Sequence, residues 1–206
     1  MAVERKFIDD SIVRYLVSSF LEKKLSRVGF SGVTIQRTPM VTRITVEVAN
    51  PGRLIGKKGR SIRRLTEVIS SRFNVSDPQI VVIPVEKFEL EPRLMAKTIA
   101  RRIEAGKPIR PIVHITLKKI MESGALGAEI RVRGVFTKGR RSKSIRAAAG
   151  YLPKAGEVTR LLKTADVTAV PKQGAINVRV TIAPPGVSFP DKEIKKIELS
   201  KTIKYA

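Results

Sequence analysis

Residues 56–59 read Gly-Lys-Lys-Gly and stand between two stretches of helical periodicity. Leu54 and Ile55 precede them, and Ile62, Leu65, Ile69 and Phe73 follow at three- and four-residue spacing. Glycine weakens a helix it interrupts, and adjacent lysines repel, so the chain has to break into two helices here. Strand patterns bracket that pair. VTRITVEVA at 41–49 alternates, with Ile44, Val46 and Val48 on one face and Arg43, Thr45 and Glu47 on the other. QIVVIPV at 79–85 reads as a later strand, and VTIQRT at 33–38 as an earlier one that Pro39 ends. In the first segment Ile8, Ile12, Leu16 and Phe20 recur every fourth residue, with Val13, Val17 and Leu21 beside them and Gly29 as a stop. The order is helix, strand, strand, helix, glycine-lysine turn, helix, strand. It predicts one α+β domain over residues 1–85.

EKFELEP at 86–92 changes character and is expected to be a linker. A helix is predicted at 93–105, with Met95, Ile99 and Ile103 on one side, and a second from Pro108 or Pro111 to Glu122. Beyond Gly124 the pattern is that of strands. Ile130 and Val132 alternate with Glu129, Arg131 and Arg133; SKSIRAAA, LLKTADVTAV and AINVRVTIA follow. Two helices and four strands predict a second α+β domain over 93–185, followed by a charged tail, 186–206, without a core pattern.

The chain carries 41 Lys and Arg against 18 Asp and Glu, a formal charge of +23. Solubility needs only about 2–8 for a small domain, so the excess points to a polyanionic partner. Nucleic acid fits better than a membrane: no run of 18 apolar residues exists, tryptophan is absent, and MAVERKFIDD lacks the apolar core of a secretion signal. The absence of cysteine excludes disulfides and thiolate metal sites, and a single histidine, His114, argues against a histidine-based metal site or a serine-histidine triad. No cofactor is expected. A lysine nucleophile of the lyase type remains chemically possible, but nothing singles out one lysine, and no enzymatic activity is expected.

Three readings compete for the glycine-lysine turn: a solvated connection, a nucleotide phosphate loop, and a clamp on a nucleic-acid backbone. The phosphate loop fails on spacing, since three residues rather than four separate Gly52 from Gly56, and Lys58, not Ser or Thr, follows Lys57. The clamp uses glycines to bring the main chain close to phosphates, lysines to add charge, and apolar neighbours to meet bases. Its candidate residues are Arg53, Gly56, Lys57, Lys58, Gly59, Arg60, Arg63 and Arg64. In the second half, roughly 100° per residue puts Lys107, Arg110, His114 and Lys118 on one stripe of the helix, broadly opposite Ile109, Ile112, Val113, Thr116 and Ile120. That stripe is either a solvated face or a phosphate-binding one. Residues 131–154 hold Arg131, Arg133, Lys138, Arg140, Arg141, Lys143, Arg146 and Lys154 with no acidic residue, a density suited to phosphates.

The element order around Gly56–Gly59 resembles the second topological type of K-homology (KH) domain. With IMESGALGAEIRVRG at 120–134 and KGRRSKS at 138–144, residues 1–186 resemble the family of the third protein of the small ribosomal subunit, in its archaeal and eukaryotic branch. The resemblance implies a structural constituent of the cytoplasmic ribosome, with small-subunit rRNA, mRNA and neighbouring head proteins as partners. It implies that Arg131, Arg133, Lys138, Arg140, Arg141, Lys143 and Arg146 contact rRNA in the subunit head. It also implies that Lys107, Arg110, His114 and Lys118 line the mRNA entry channel. A free-standing KH-domain regulator of the antitermination type is the alternative, and a nucleic-acid lyase or nuclease a more distant one.

Overall fold

The computed structural model describes residues 2–26, 28–38, 41–73, 75, 77–136, 141–172, 174–187 and 189. The chain divides into two compact units that meet between Phe88 and Glu89.

The first unit runs α1 (Ala2–Lys24), β1 (Phe30–Arg37), β2 (Thr42–Val48), α2 (Pro51–Ile55), α3 (Arg60–Phe73) and β3 (Pro78–Pro84). Its sheet has the order β1-β2-β3, with β1 antiparallel to β2 and β2 parallel to β3. A parallel pair needs a crossover, and α2 with α3 supplies it. Ile44, Val46 and Val48 are fully buried beneath the helices. Their cross-strand partners include Ile35 and Val33, so the alternation of β2 sets the core side of its neighbour as well. Leu54 from α2 and Ile69 from α3 close that core, and Phe73 meets Phe20 edge-on at 5.6 Å.

In α1 the apolar stripe differs from the expected one. Val17, Leu21 and Leu25 are buried and Val13 and Phe20 pack on them, whereas Ile8, Ile12 and Leu16 are exposed. At about 100° per residue Leu16, Ile12 and Ile8 lie roughly 100–180° round the helix from the buried Val17, so they face away from the core, and length adds to this. A 23-residue helix runs about 35 Å at 1.5 Å per residue. Strands of 7 or 8 residues reach only about 25 Å. The N-terminal part of α1 therefore has no sheet of its own unit to cover.

The connection between β3, which ends at Pro84, and the next helix spans residues 85–91, one residue earlier than the expected linker. Glu86 and Lys87 precede a 3-10 turn at Phe88–Leu90, and Pro92 already opens the next helix. The second unit comprises α4 (Pro92–Glu104), α5 (Ile109–Glu122), β4 (Gly127–Gly134), β5 (Lys143–Gly150), β6 (Lys163–Ala169) and β7 (Ile176–Ala183). Its sheet is antiparallel throughout, in the order β5-β4-β7-β6. Helix α4 lies over β6 and β7, and α5 over β4 and β5. Ala128, Ile130 and Val132 of β4 and Val178, Val180 and Ile182 of β7 are buried beneath them. The period of two then sends Glu129, Arg131, Arg133 and Arg179 to the opposite face. Past Gly186, Phe189 is buried with its ring 5.4 Å from that of Tyr151, so ordered packing continues into the segment expected to be a tail.

Candidate nucleic-acid interface

The glycine-lysine turn is built from unusual backbone angles. Pro51 opens α2 at a position where its missing N–H costs nothing. Gly56 ends that helix with φ +70° and ψ −179°, a region open to glycine alone, and its N–H donates to the Gly52 carbonyl at 3.0 Å. A Cβ added at Gly56 would lie 2.3 Å from Ser61 Oγ. Lys57–Gly59 forms one 3-10 turn, in which Lys58 takes φ 53° and ψ 28° and Gly59 φ +72°. A left-handed non-glycine residue is uncommon and costs about 1 kcal/mol or more, and such strain clusters at binding sites. Arg53, Lys57, Lys58, Arg60, Arg63 and Arg64 are all exposed. Leu54 is buried, and Ile55 stays 40% exposed beside the turn.

The candidate stripe of the second unit divides at the helix start. Helix α5 begins at Ile109 with Pro108 as its cap, so Arg110 lies in the first turn and Lys107 in the preceding connection. Pro111 fits within that first turn, where its missing N–H breaks no helical bond. Ile112, Val113, Thr116, Leu117 and Ile120 are buried, while Lys107, Arg110, His114 and Lys118 are exposed. Lys118 has only a loose partner, Glu122 at 3.8 Å, with both side chains in solvent.

On the open sheet face Arg146, Arg131 and Arg179 stand directly opposite one another on β5, β4 and β7. Like charges so placed repel. Two carboxylates hold them together. Glu129, 7% exposed, accepts from Arg131 Nη2 at 2.8 Å on Oε1 and from Arg146 Nη2 at 2.9 Å on Oε2, and Arg146 Nε makes an ion-pair contact with Oε1 at 2.8 Å. Burial pushes the Glu129 carboxyl up, but hydrogen bonds from Arg146 and Arg131, with their positive charge, more than reverse this and bring its pKa below the ordinary value. Asp166 holds Arg179 through two bonds, at 2.7 and 2.9 Å, and the pair raises the arginine pKa. The expectation of uncompensated charge over 131–154 is corrected in part: Arg131 and Arg146 share one carboxylate, Glu129, just outside that window, which offsets one of their two charges. The face keeps an excess nonetheless, because Arg133 is exposed and four arginines meet two carboxylates, 4 − 2 = +2. Arg141 and Lys143 are exposed at the start of β5, whereas Lys138 and Arg140 lie outside the described residues. Arg179 was missed by the sequence reading. The alternation of Ile176, Val178 and Val180 carried the signal, since it puts Arg179 on the arginine face.

Among the described residues no group of three or more His, Asp or Glu could hold a metal ion, and no helix is long and apolar enough to cross a membrane.

A three-stranded sheet with a parallel pair bridged by helix, glycine-lysine turn and helix defines the KH class of RNA-binding proteins, and a family model described as KH domain matches residues 16–123. A second, ribosomal protein S3, C-terminal domain, matches residues 99–182. The chain is 41% identical to the small ribosomal subunit protein uS3 of Methanothrix thermoacetophila over 192 residues, which cover 93% of this chain and 69% of the relative. The uS3 proteins of Haloarcula marismortui and Methanoculleus marisnigri are 40% and 37% identical, again over 93% of this chain, and are covered to 63% and 82% of their length. The chain belongs to the ribosomal protein S3 family.

Proposed function

We propose that this protein is a structural, non-catalytic constituent of the small ribosomal subunit in the cytoplasm, seated on rRNA of the head beside neighbouring head proteins, and that it lines the mRNA entry channel. The glycine-lysine turn with Arg53, Arg60, Arg63 and Arg64 grips an RNA backbone. The arginine face of the second unit, with Arg141 and Lys143 at its edge, binds rRNA. Lys107, Arg110, His114 and Lys118 meet the incoming message. The observation that carries the last assignment is the division of α5 into one buried apolar face and one wholly exposed basic face. Phosphate contacts are indifferent to sequence, which suits a channel that has to accept every message.

Arg110→Ala with Lys118→Ala is expected to leave the protein folded and incorporated into subunits while weakening mRNA retention. Each lost phosphate contact lowers the log-log salt slope by about 0.7 for single strands. Crosslinking from positions 110 and 118 in assembled initiation complexes tests the assignment. Crosslinks confined to rRNA or to a neighbouring protein would make the stripe a docking surface instead.

A further inference from the structure

At the start of α5 the second unit holds a groove of about 760 Å³, within the range of about 300–1,000 Å³ typical of small-ligand clefts. Its lining divides by chemistry. Lys107, Arg110 and Lys172 bring positive charge, and Phe136, Ile145 and Ile176 an apolar surface. Its one carboxylate, Glu104, already accepts the Val170 N–H at 3.3 Å and ties the β6–β7 connection to α4. The groove thus offers a surplus of cations beside a half-buried aromatic ring.

We infer that this groove seats one unstacked nucleotide of single-stranded RNA, its base against the Phe136 ring and its flanking phosphates on Lys107, Arg110 and Lys172. The inference rests on the mRNA assignment above and adds to it a base-stacking residue and a further phosphate ligand, neither of which lies on the helical stripe. A nucleotide matches both parts of the lining: a flat uncharged π-face and an anion at one edge. Stacking works for every base, because each has a π-face. It therefore adds affinity without sequence preference and holds a strand extended at the point where Arg110 meets it. An aliphatic ligand would leave the three cations unanswered, and a free phosphate would leave the apolar lining unused.

The chain has no tryptophan and three tyrosines, so full-length Phe136→Trp carries a single tryptophan at the groove, excited selectively at the red edge where tyrosine does not absorb. Lys57→Asp and Lys58→Asp are added to remove binding at the glycine-lysine turn. Two probes of equal length are titrated, oligoadenylate and an abasic ribose-phosphate strand. The tryptophan is expected to be quenched at saturation by oligoadenylate and not by the abasic strand. Phe136→Ala is expected to weaken oligoadenylate binding about 5- to 150-fold, the span of base–aromatic stacking, and to leave abasic binding unchanged. Lys172→Ala is expected to weaken both. Absence of quenching at saturation, or equal losses on both probes for Phe136→Ala, would overturn the inference. If Arg110→Ala still weakens binding while the tryptophan is silent, only the base seat fails. If Arg110→Ala and Lys118→Ala leave affinity intact, the mRNA assignment itself fails.

Discussion

Glu129 is the one buried carboxylate holding two arginines in register, and Glu129→Gln measures what it contributes. Glutamine keeps the shape and an acceptor oxygen but removes the charge. Arg131 Nη2 and Arg146 Nη2 donate to the carboxylate at 2.8 and 2.9 Å, Arg146 Nε lies 2.8 Å from it, and all three lose the negative charge opposite them. A hydrogen bond to a charged group is worth roughly 1 kcal/mol more than a neutral one, so the two hydrogen bonds lose about 2 kcal/mol. Repulsion between Arg131 and Arg146 then adds up to about 1 kcal/mol, while relief from burying a charge offsets part of the total. A net cost of about 2 kcal/mol at pH 7 lowers the melting temperature of the second domain, taken as roughly 90 residues unfolding on its own, by roughly 8–16 °C. The sign of the pH dependence follows from the lowered pKa. A depressed folded-state pKa means the stabilisation is fully present above the ordinary glutamate value of 4.5 and is lost as pH falls through the folded-state value. Urea and thermal unfolding of both proteins from pH 7 into the acid range should show the gap closing on the acid side. A gap that stays constant throughout would refute the ionic argument and assign the loss to packing.

Lys57→Asp with Lys58→Asp should weaken single-stranded RNA binding and lower the salt slope by about 1.4 with unchanged circular dichroism, because both side chains are exposed; unchanged affinity would return the turn to a solvated connection. Thr42 is 3% exposed, and its Oγ1 has no hydrogen-bond partner among the described residues. Thr42→Val should therefore raise stability by about 1 kcal/mol, read as a higher urea midpoint, and a lower midpoint would mean the hydroxyl is satisfied. We propose that residues 1–85 and 93–185 are separable domains; limited proteolysis should then nick the free protein first within 86–92, and a chain uncut there that unfolds in one transition would count against separability.

How much of this was legible depended on which physical rule governed each element. In β2 and β7 the period of two had no competitor, and Ile44, Val46, Val48, Val178, Val180 and Ile182 are all buried as the alternation required. The glycine-lysine turn was legible because Gly56 needs an angle that only glycine tolerates. In α1, periodicity identified a helix but not its buried side. Two apolar stripes overlap, and the choice between them depends on how far the sheet extends, a tertiary quantity. The arginine face was half legible: counting charge over 131–154 revealed its basic residues but stopped two residues short of Glu129, which holds Arg131 on its own strand and Arg146 on the next, while Asp166 reaches Arg179 from β6 through a register that a charge count does not show. The left-handed Lys58 left no mark in the sequence, because lysine is no signal for that conformation.

The candidate cations differ in how firmly their own chain holds them, and the difference bears on what each set can bind. Arg131, Arg146 and Arg179 are fixed by carboxylates on a sheet. Their positions are determined before any partner arrives, so little side-chain entropy remains to be lost on binding. Such a surface rewards a partner of matching, fixed geometry, as folded rRNA would be. Among the described residues, Lys118 has one loose surface partner, Glu122, and no carboxylate holds Lys107 or Arg110. A long cationic side chain carries about 2 kcal/mol of rotamer entropy, and freezing it on one phosphate offsets much of the contact. Held loosely, it follows a phosphate as the strand advances and passes to the next at small cost. Under the proposed assignment, a message that has to move through the channel needs contacts of that second kind, and rRNA that stays in place needs the first. The charge that sequence reading counts as one excess of +23 therefore contains, by the presence or absence of a close carboxylate partner on the sheet, a positioned set and a yielding set.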